Sequence, residues 1–72
     1  MMTAQIMVVH DQQGNTLTVW FGNPQNEVVA EETVNEIILM KDKNGNVIGF
    51  EKLNYVLPAS TRLNVAFETV AP

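Results

Sequence analysis

Residues 37–53 read Ile-Ile-Leu-Met-Lys-Asp-Lys-Asn-Gly-Asn-Val-Ile-Gly-Phe-Glu-Lys-Leu, and this stretch decides the fold. Two short runs rich in Ile, Leu, Val and Phe flank five polar residues, Asp42-Lys43-Asn44-Gly45-Asn46. Short apolar runs of this kind, divided by turn residues, mark strands joined in a hairpin. The pattern Asp-x-x-Gly-Asn occurs again at Asp11-Gln12-Gln13-Gly14-Asn15, also between two strand-like runs. A three-residue hairpin loop is a type I turn followed by a left-handed residue that makes a bulge. Asp11 and Asp42 suit the first turn position because a carboxylate accepts nearby backbone N–H groups. Gly14 and Gly45 suit the left-handed position because glycine has no Cβ.

The turn sets the register, and the register can be tested against hydrophobic pattern. With Asp42 opposite Asn46, Met40 faces Ile48 and Ile38 faces Phe50, which leaves one wholly apolar face. A two-residue Asn44-Gly45 turn would instead place Lys41 opposite Ile48 and Lys52 opposite Ile37. The bulged turn is therefore preferred. The same logic puts Asp11 opposite Asn15, Val9 against Leu17 and Met7 against Val19, with Phe21 beyond. Trp20 then shares the other face with His10, Thr16 and Thr18.

Outward from these hairpins, six strands are expected: Ala4–His10, Thr16–Gly22, Val28–Glu31, Glu36–Lys41, Val47–Leu53 and Leu63–Val70. Asn23-Pro24 punctuates one connection, and Pro58-Ala59-Ser60-Thr61 punctuates another, with a short helical turn expected near 55–62. No segment shows sustained helical periodicity. The expected fold is mainly β: a small antiparallel meander of five or six strands in a single domain, residues 1–72. The 72 residues are 46% hydrophobic and hold no cysteine, so neither disulfides nor thiolate-rich zinc can supplement a marginal core. A sheet of this size has an apolar face and no amphipathic helix to cover it. Either it curls into a small roll, or two copies stack face to face. A homodimer is expected, with Trp20, Ile38, Met40, Ile48, Phe50 and Phe67 as interface candidates.

Four bases against eight acids give a net charge of -4, which disfavours nucleic acid as a partner. The charges are segregated. Asp11, Glu27, Glu31, Glu32 and Glu36 come first, without a base among them; Lys41, Lys43, Lys52 and Arg62 follow. The plain reading is solvated faces; the sharper one is complementarity between chains. No basic run precedes an apolar core as in a signal peptide, and no apolar stretch reaches the roughly 18 residues of a membrane span. A soluble, cytoplasmic protein without membrane contact is expected.

The chemistry-bearing residues are sparse. Asp42, Asn44 and Asn46 imitate the start of a calcium loop, but Val47 stands where glycine is needed and Leu53 where a bidentate glutamate is needed. No metal or cofactor is expected. His10, the single histidine, lies at a strand end beside a turn aspartate and has no nucleophile or orienting acid in a recognisable pattern. Glu31 and Glu32 alternate across a strand and diverge, so they read as edge charges against aggregation. Glu51 lies in a strand beside Gly49, opposite in face to Phe50, and glycine in a strand marks a bulge or a close approach. The plain reading of Glu51 is a half-exposed acid paired with a base. No catalytic residues are assigned.

His10-Asp11-Gln12-Gln13-Gly14-Asn15-Thr16-Leu17-Thr18-Val19, then Ala30-Glu31-Glu32-Thr33, then Asp42 to Leu53, resemble a family of very short prokaryotic proteins classed as a domain of unknown function. The resemblance covers about three-quarters of the chain, and His10, Asn15 and Thr18 depart from its usual Tyr, Asp and Tyr. The tail after Leu57 lies outside the pattern. The resemblance brings no activity with it. It implies a small, mostly β, self-associating domain, and an antitoxin-like role through the small toxin-like neighbours of some members. The expected function is a non-enzymatic protein-interaction module, with an accessory partner of another small protein as the alternative and a small-ligand binder behind both.

Overall fold

Alternating apolar residues pair into strands wherever a turn brings two runs together. The computed structural model describes residues 2–72. It holds one antiparallel sheet of five strands: β1 (Met7–Asp11), β2 (Thr16–Trp20), β3 (Val29–Glu32), β4 (Ile37–Lys41) and β5 (Val47–Lys52). Their order is β1-β2-β5-β4-β3. The mainly β, antiparallel class is as the sequence implies. After β2 the chain crosses to the far edge and winds back through β3 and β4, so β5 closes the middle of the sheet.

The second hairpin keeps the expected turn. The Asp42 N–H donates to Asn46 O at 3.0 Å, the Gly45 N–H donates to Asp42 O at 3.0 Å, and Gly45 has φ +82°. The Asp42 carboxylate also accepts from the N–H groups of Asn44 and Asn46, each at 2.9 Å. Beyond the turn the expected register fails. Lys41 pairs with Val47, but Met40 pairs with Gly49, Leu39 with Phe50 and Ile38 with Glu51. Ile48 is an extra residue in β5, and its carbonyl accepts from both Phe21 N–H at 2.8 Å and Gly22 N–H at 3.0 Å. This bulge moves every later pairing by one position. The expected apolar face of Ile38, Met40, Ile48 and Phe50 is therefore divided.

The first hairpin also departs by one residue. Asp11 pairs with Thr16, Val9 with Thr18 and Met7 with Trp20. The loop has four residues, and Asn15 rather than Gly14 takes the left-handed conformation, with φ 57°. Asparagine tolerates that region. The Asp11 carboxylate gathers the Gln13 and Gly14 N–H groups at 3.0 and 2.9 Å. The gain is burial. Trp20 now shares a face with Met7 and Val9 and crosses to Gly49, where a Cβ would lie 2.8 Å from its Cε3.

Two single-turn 3-10 segments connect the strands, Pro24–Asn26 and Val34–Glu36. The expected helical turn near 55–62 is present as a single non-helical turn, closed by Thr61 N–H on Pro58 O at 3.2 Å, with Ser60 at φ 63°. The expected sixth strand is absent: residues 61–72 pair with nothing. Leu63 is half-buried, while Phe67 is 87% exposed. The alternation Leu63, Val65, Phe67 is strand-like, but no strand edge lies alongside to receive it.

Only one large apolar side chain among the described residues is buried, Met40, at 5% exposure. The Cα radius of gyration is 14.0 Å. A compact chain of this length has about 11 Å. Among the described residues the molecule is a single sheet with no second layer.

Candidate interaction faces

Directly opposed residues on paired strands point to the same side, so the registers sort side chains onto two faces. One face has the rows Val8–Val19–Phe50–Leu39–Glu31 and His10–Leu17–Lys52–Ile37. Phe21 extends it, with its ring centroid 6.1 Å from that of Phe50. We refer to this as the Phe50 face. The other, the Trp20 face, has the rows Met7–Trp20–Gly49–Met40–Ala30 and Val9–Thr18–Glu51–Ile38–Glu32.

Of the six residues expected at an interface, Trp20, Ile38 and Met40 lie on one face and Phe50 on the other. Ile48 sits in the bulge with its side chain against Gly22. Phe67 lies in the unpaired tail. The Asp11 and Asp42 carboxylates accept backbone N–H groups of their turns, Gly45 takes the left-handed conformation in the second, and Asn15 rather than Gly14 takes it in the first.

The two faces differ in charge. On the Phe50 face Lys41 pairs with Glu31, and Lys52 Nζ lies 3.2 Å from Glu36 Oε2. The segregated acidic and basic stretches thus meet within one chain. Glu36 is held below the usual carboxylate range, first by the Asn54 amide at 2.8 Å and then by the Lys52 ammonium. Asp42 is likewise lowered, chiefly by the Asn46 N–H. Both carboxylates are solvent-facing turn and edge groups, so these shifts describe local turn chemistry.

On the Trp20 face the charges are Asp11, Glu51 and Glu32, with Glu27 at the rim of the basin that Trp20, Ile38 and Met40 line. Glu51 is half-buried and accepts a hydrogen bond from the Thr18 hydroxyl at 3.2 Å. The base expected to pair with it is not there: among the described residues no Lys or Arg lies within an ion-pair distance of Glu51. The one-residue bulge explains this, because it sets Ile38 rather than Ile37 opposite Glu51 and so carries Glu51 to the face away from Lys41, while Lys52, its neighbour in the strand, points away in either register. Glu27 and Thr18 are the contributors that sequence reading passed over. The signal for Glu27 was its place in the base-free acidic stretch; for Thr18 there was none until the register was known.

His10 lies on the Phe50 face, edge-on to Tyr55, with ring centroids 5.7 Å apart and planes at 89°. Tyr55 is tied to the first turn by its N–H on Asn15 O at 2.8 Å. The tail then shares a shallow groove with Val8 and His10 through Leu63 and Val65. No cluster of three or more potential metal-ligating side chains occurs among the described residues, and no helix there is long and apolar enough to cross a membrane.

In a comparison with known families, the model of the family described as "Protein of unknown function (DUF2283)" matches residues 8–55. That span holds all five strands except the first residue of β1, and it excludes the tail. No curated protein and no solved structure matches the chain.

Proposed function

The chain belongs to the DUF2283 family, and from that premise we propose that it is a non-enzymatic protein-interaction module that self-associates through the Phe50 face. One observation carries this reading: the sheet has an apolar surface on both sides and no layer of its own over either, with Met40 as its one buried large side chain among the described residues. Single-layer sheets of this kind gain stability by stacking on a second sheet about 10 Å away. The Phe50 face suits a second copy because its lysines are already neutralised by Glu31 and Glu36. Over the central rows two such faces meet without stranding a lysine. Thr61, Arg62, Leu63 and Val65 of the C-terminal segment lie at the β1 end of this face, beside Val8 and His10.

The absence of catalysis in this reading rests on the separation of the reactive groups. His10 is engaged with Tyr55 on one face, and Glu51 with Thr18 on the other. A nucleophile, a base and an oxyanion donor would have to converge for acyl transfer. A reducing, cytoplasmic setting fits a chain without cysteine.

Sedimentation velocity over a range of micromolar concentrations tests the proposal. A dimer is expected, with a melting temperature that rises with concentration. Phe21→Lys, at a half-exposed position beside Phe50, is expected to weaken the dimer about tenfold or more. Val9→Lys, on the opposite face, is expected to leave it unchanged. A compact monomer whose melting ignores dilution overturns the proposal.

A further inference from the structure

The Trp20 face presents a different requirement from the Phe50 face. Its floor is apolar, formed by Trp20 over Gly49, with Met40, Ile38 and Ala30 beside it. In its middle stands Glu51, bonded to a neutral hydroxyl. Glu27 and Glu32 add negative charge around it, and no basic side chain lines the basin among the described residues. Whatever shields the apolar floor also takes Glu51 out of water. An ionised carboxylate buried without a cation is costly, so the cover must bring one.

This condition decides among occupants. A second Trp20 face brings another Glu51 and is repelled. The Phe50 face of another copy brings Lys41 and Lys52, both committed to acids of their own chain, and Arg62, which sits at the β1 edge beside Val8 and His10 rather than within the apolar rows that would cover the basin. The chain's own tail shares its groove with Val8 and His10, on the opposite side of the sheet. Residues 2–6, which flank Trp20, include no base. We propose that the Trp20 face is a docking surface for an amphipathic segment of a different protein, one that carries a lysine or arginine within its apolar stripe to meet Glu51. The apolar stripe supplies the missing second layer, and the cation converts the unpaired carboxylate into a desolvated ion pair that selects the partner.

Trp20 is the single tryptophan of the chain, so its emission reports on this face alone. The probe is a synthetic leucine–serine helical peptide with one lysine in the centre of its leucine face. Matched peptides carry glutamine or glutamate at that position. The lysine peptide is expected to shift Trp20 emission to the blue in a saturable titration, and to bind about tenfold or more tighter than either control. Glu51→Gln, which retains a partner for Thr18, is expected to erase that preference. Glu36→Gln, on the other side, is expected to leave it intact. Should Glu51→Gln not fold, Glu27→Gln is expected to reduce the preference in the same direction, and the wild-type ranking of the three peptides stands by itself. Equal binding of all three peptides, or an undiminished lysine preference in Glu51→Gln, overturns the proposal. So does a blue shift that grows with concentration of the protein alone, which would place a second copy on this face. Dimerisation through the Phe50 face is unaffected by any of these outcomes, and the two readings fail separately.

Discussion

At the scale of single residues, the two glycines of the second hairpin are needed for opposite reasons. Gly45 has open space around its missing Cβ, and its requirement is conformational, since φ is +82°. Gly45→Val is expected to cost about 1–2 kcal/mol in urea denaturation, and Gly45→Asn less, because asparagine accepts left-handed backbone at Asn15, Asn35 and Asn54 already. Gly49 has no unusual φ, but a Cβ there would lie 2.8 Å from both Trp20 Cε3 and the Val19 carbonyl oxygen. Gly49→Ala is expected to cost about 1–3 kcal/mol, and to change the Trp20 emission, because the indole must lift from the sheet. A Gly49→Ala protein with unchanged stability and emission would contradict this packing. Glu36 shows a third kind of constraint. It holds φ 62°, uncommon for a residue with a side chain, and its carboxylate is anchored by Asn54 and Lys52.

At the scale of elements, the turns carry a pH dependence of known sign. Glu36 and Asp42 both have folded values below their ordinary ones of 4.5 and 3.8. The stability they contribute is therefore complete above those ordinary values and drains away as pH falls through the lowered folded ones. Thermal melts are expected to be flat with respect to these two groups at neutral pH and to decline in acid. Asp42→Asn is expected to lower stability at neutral pH and to flatten part of that acid decline. Legibility in the sequence varied by element. The Asp42–Asn46 turn was readable because its geometry is set by adjacent residues: a capping carboxylate and a glycine free to turn left. The five paired strands were readable from their short β-branched runs. The bulge at Ile48 was not, because nothing in Val47-Ile48-Gly49 distinguishes it until Phe21 and Gly22 compete for one carbonyl. Nor was the first register, because Asn15 and Gly14 can each turn left and the choice falls to the packing of Trp20 across β5. The tail misled because alternation is necessary for a strand and not sufficient: a ladder needs a neighbour. Removal of residues 64–72 is accordingly expected to leave the far-UV circular dichroism of the sheet in place and the urea midpoint little changed. Loss of the sheet signal would show that the tail supports it.

At the scale of the whole molecule, one uncovered apolar face was implied by the sequence, while the second, and the division of labour between them, arise only from register. A one-residue shift carried Glu51 to the face away from Lys41 and so left one side self-neutral and the other acidic. The edges differ as well. β3 is short and carries Glu31 and Glu32, which discourage further strand pairing, whereas β1 offers Met7, Val8 and Val9 with no lysine or proline to blunt it. Val8→Lys is expected to raise solubility at high concentration, read by turbidity, beyond what Val29→Lys achieves at the already guarded edge. The strand order carries one more consequence. The centre of the sheet, β5, is the last strand to leave a ribosome, so the hairpin made first and the β3–β4 pair made later remain two unjoined halves throughout synthesis. Only when the chain has emerged through Lys52 can they be stitched together, and a nascent polypeptide halted before Val47 presents sticky fragments to chaperones rather than a partly built domain.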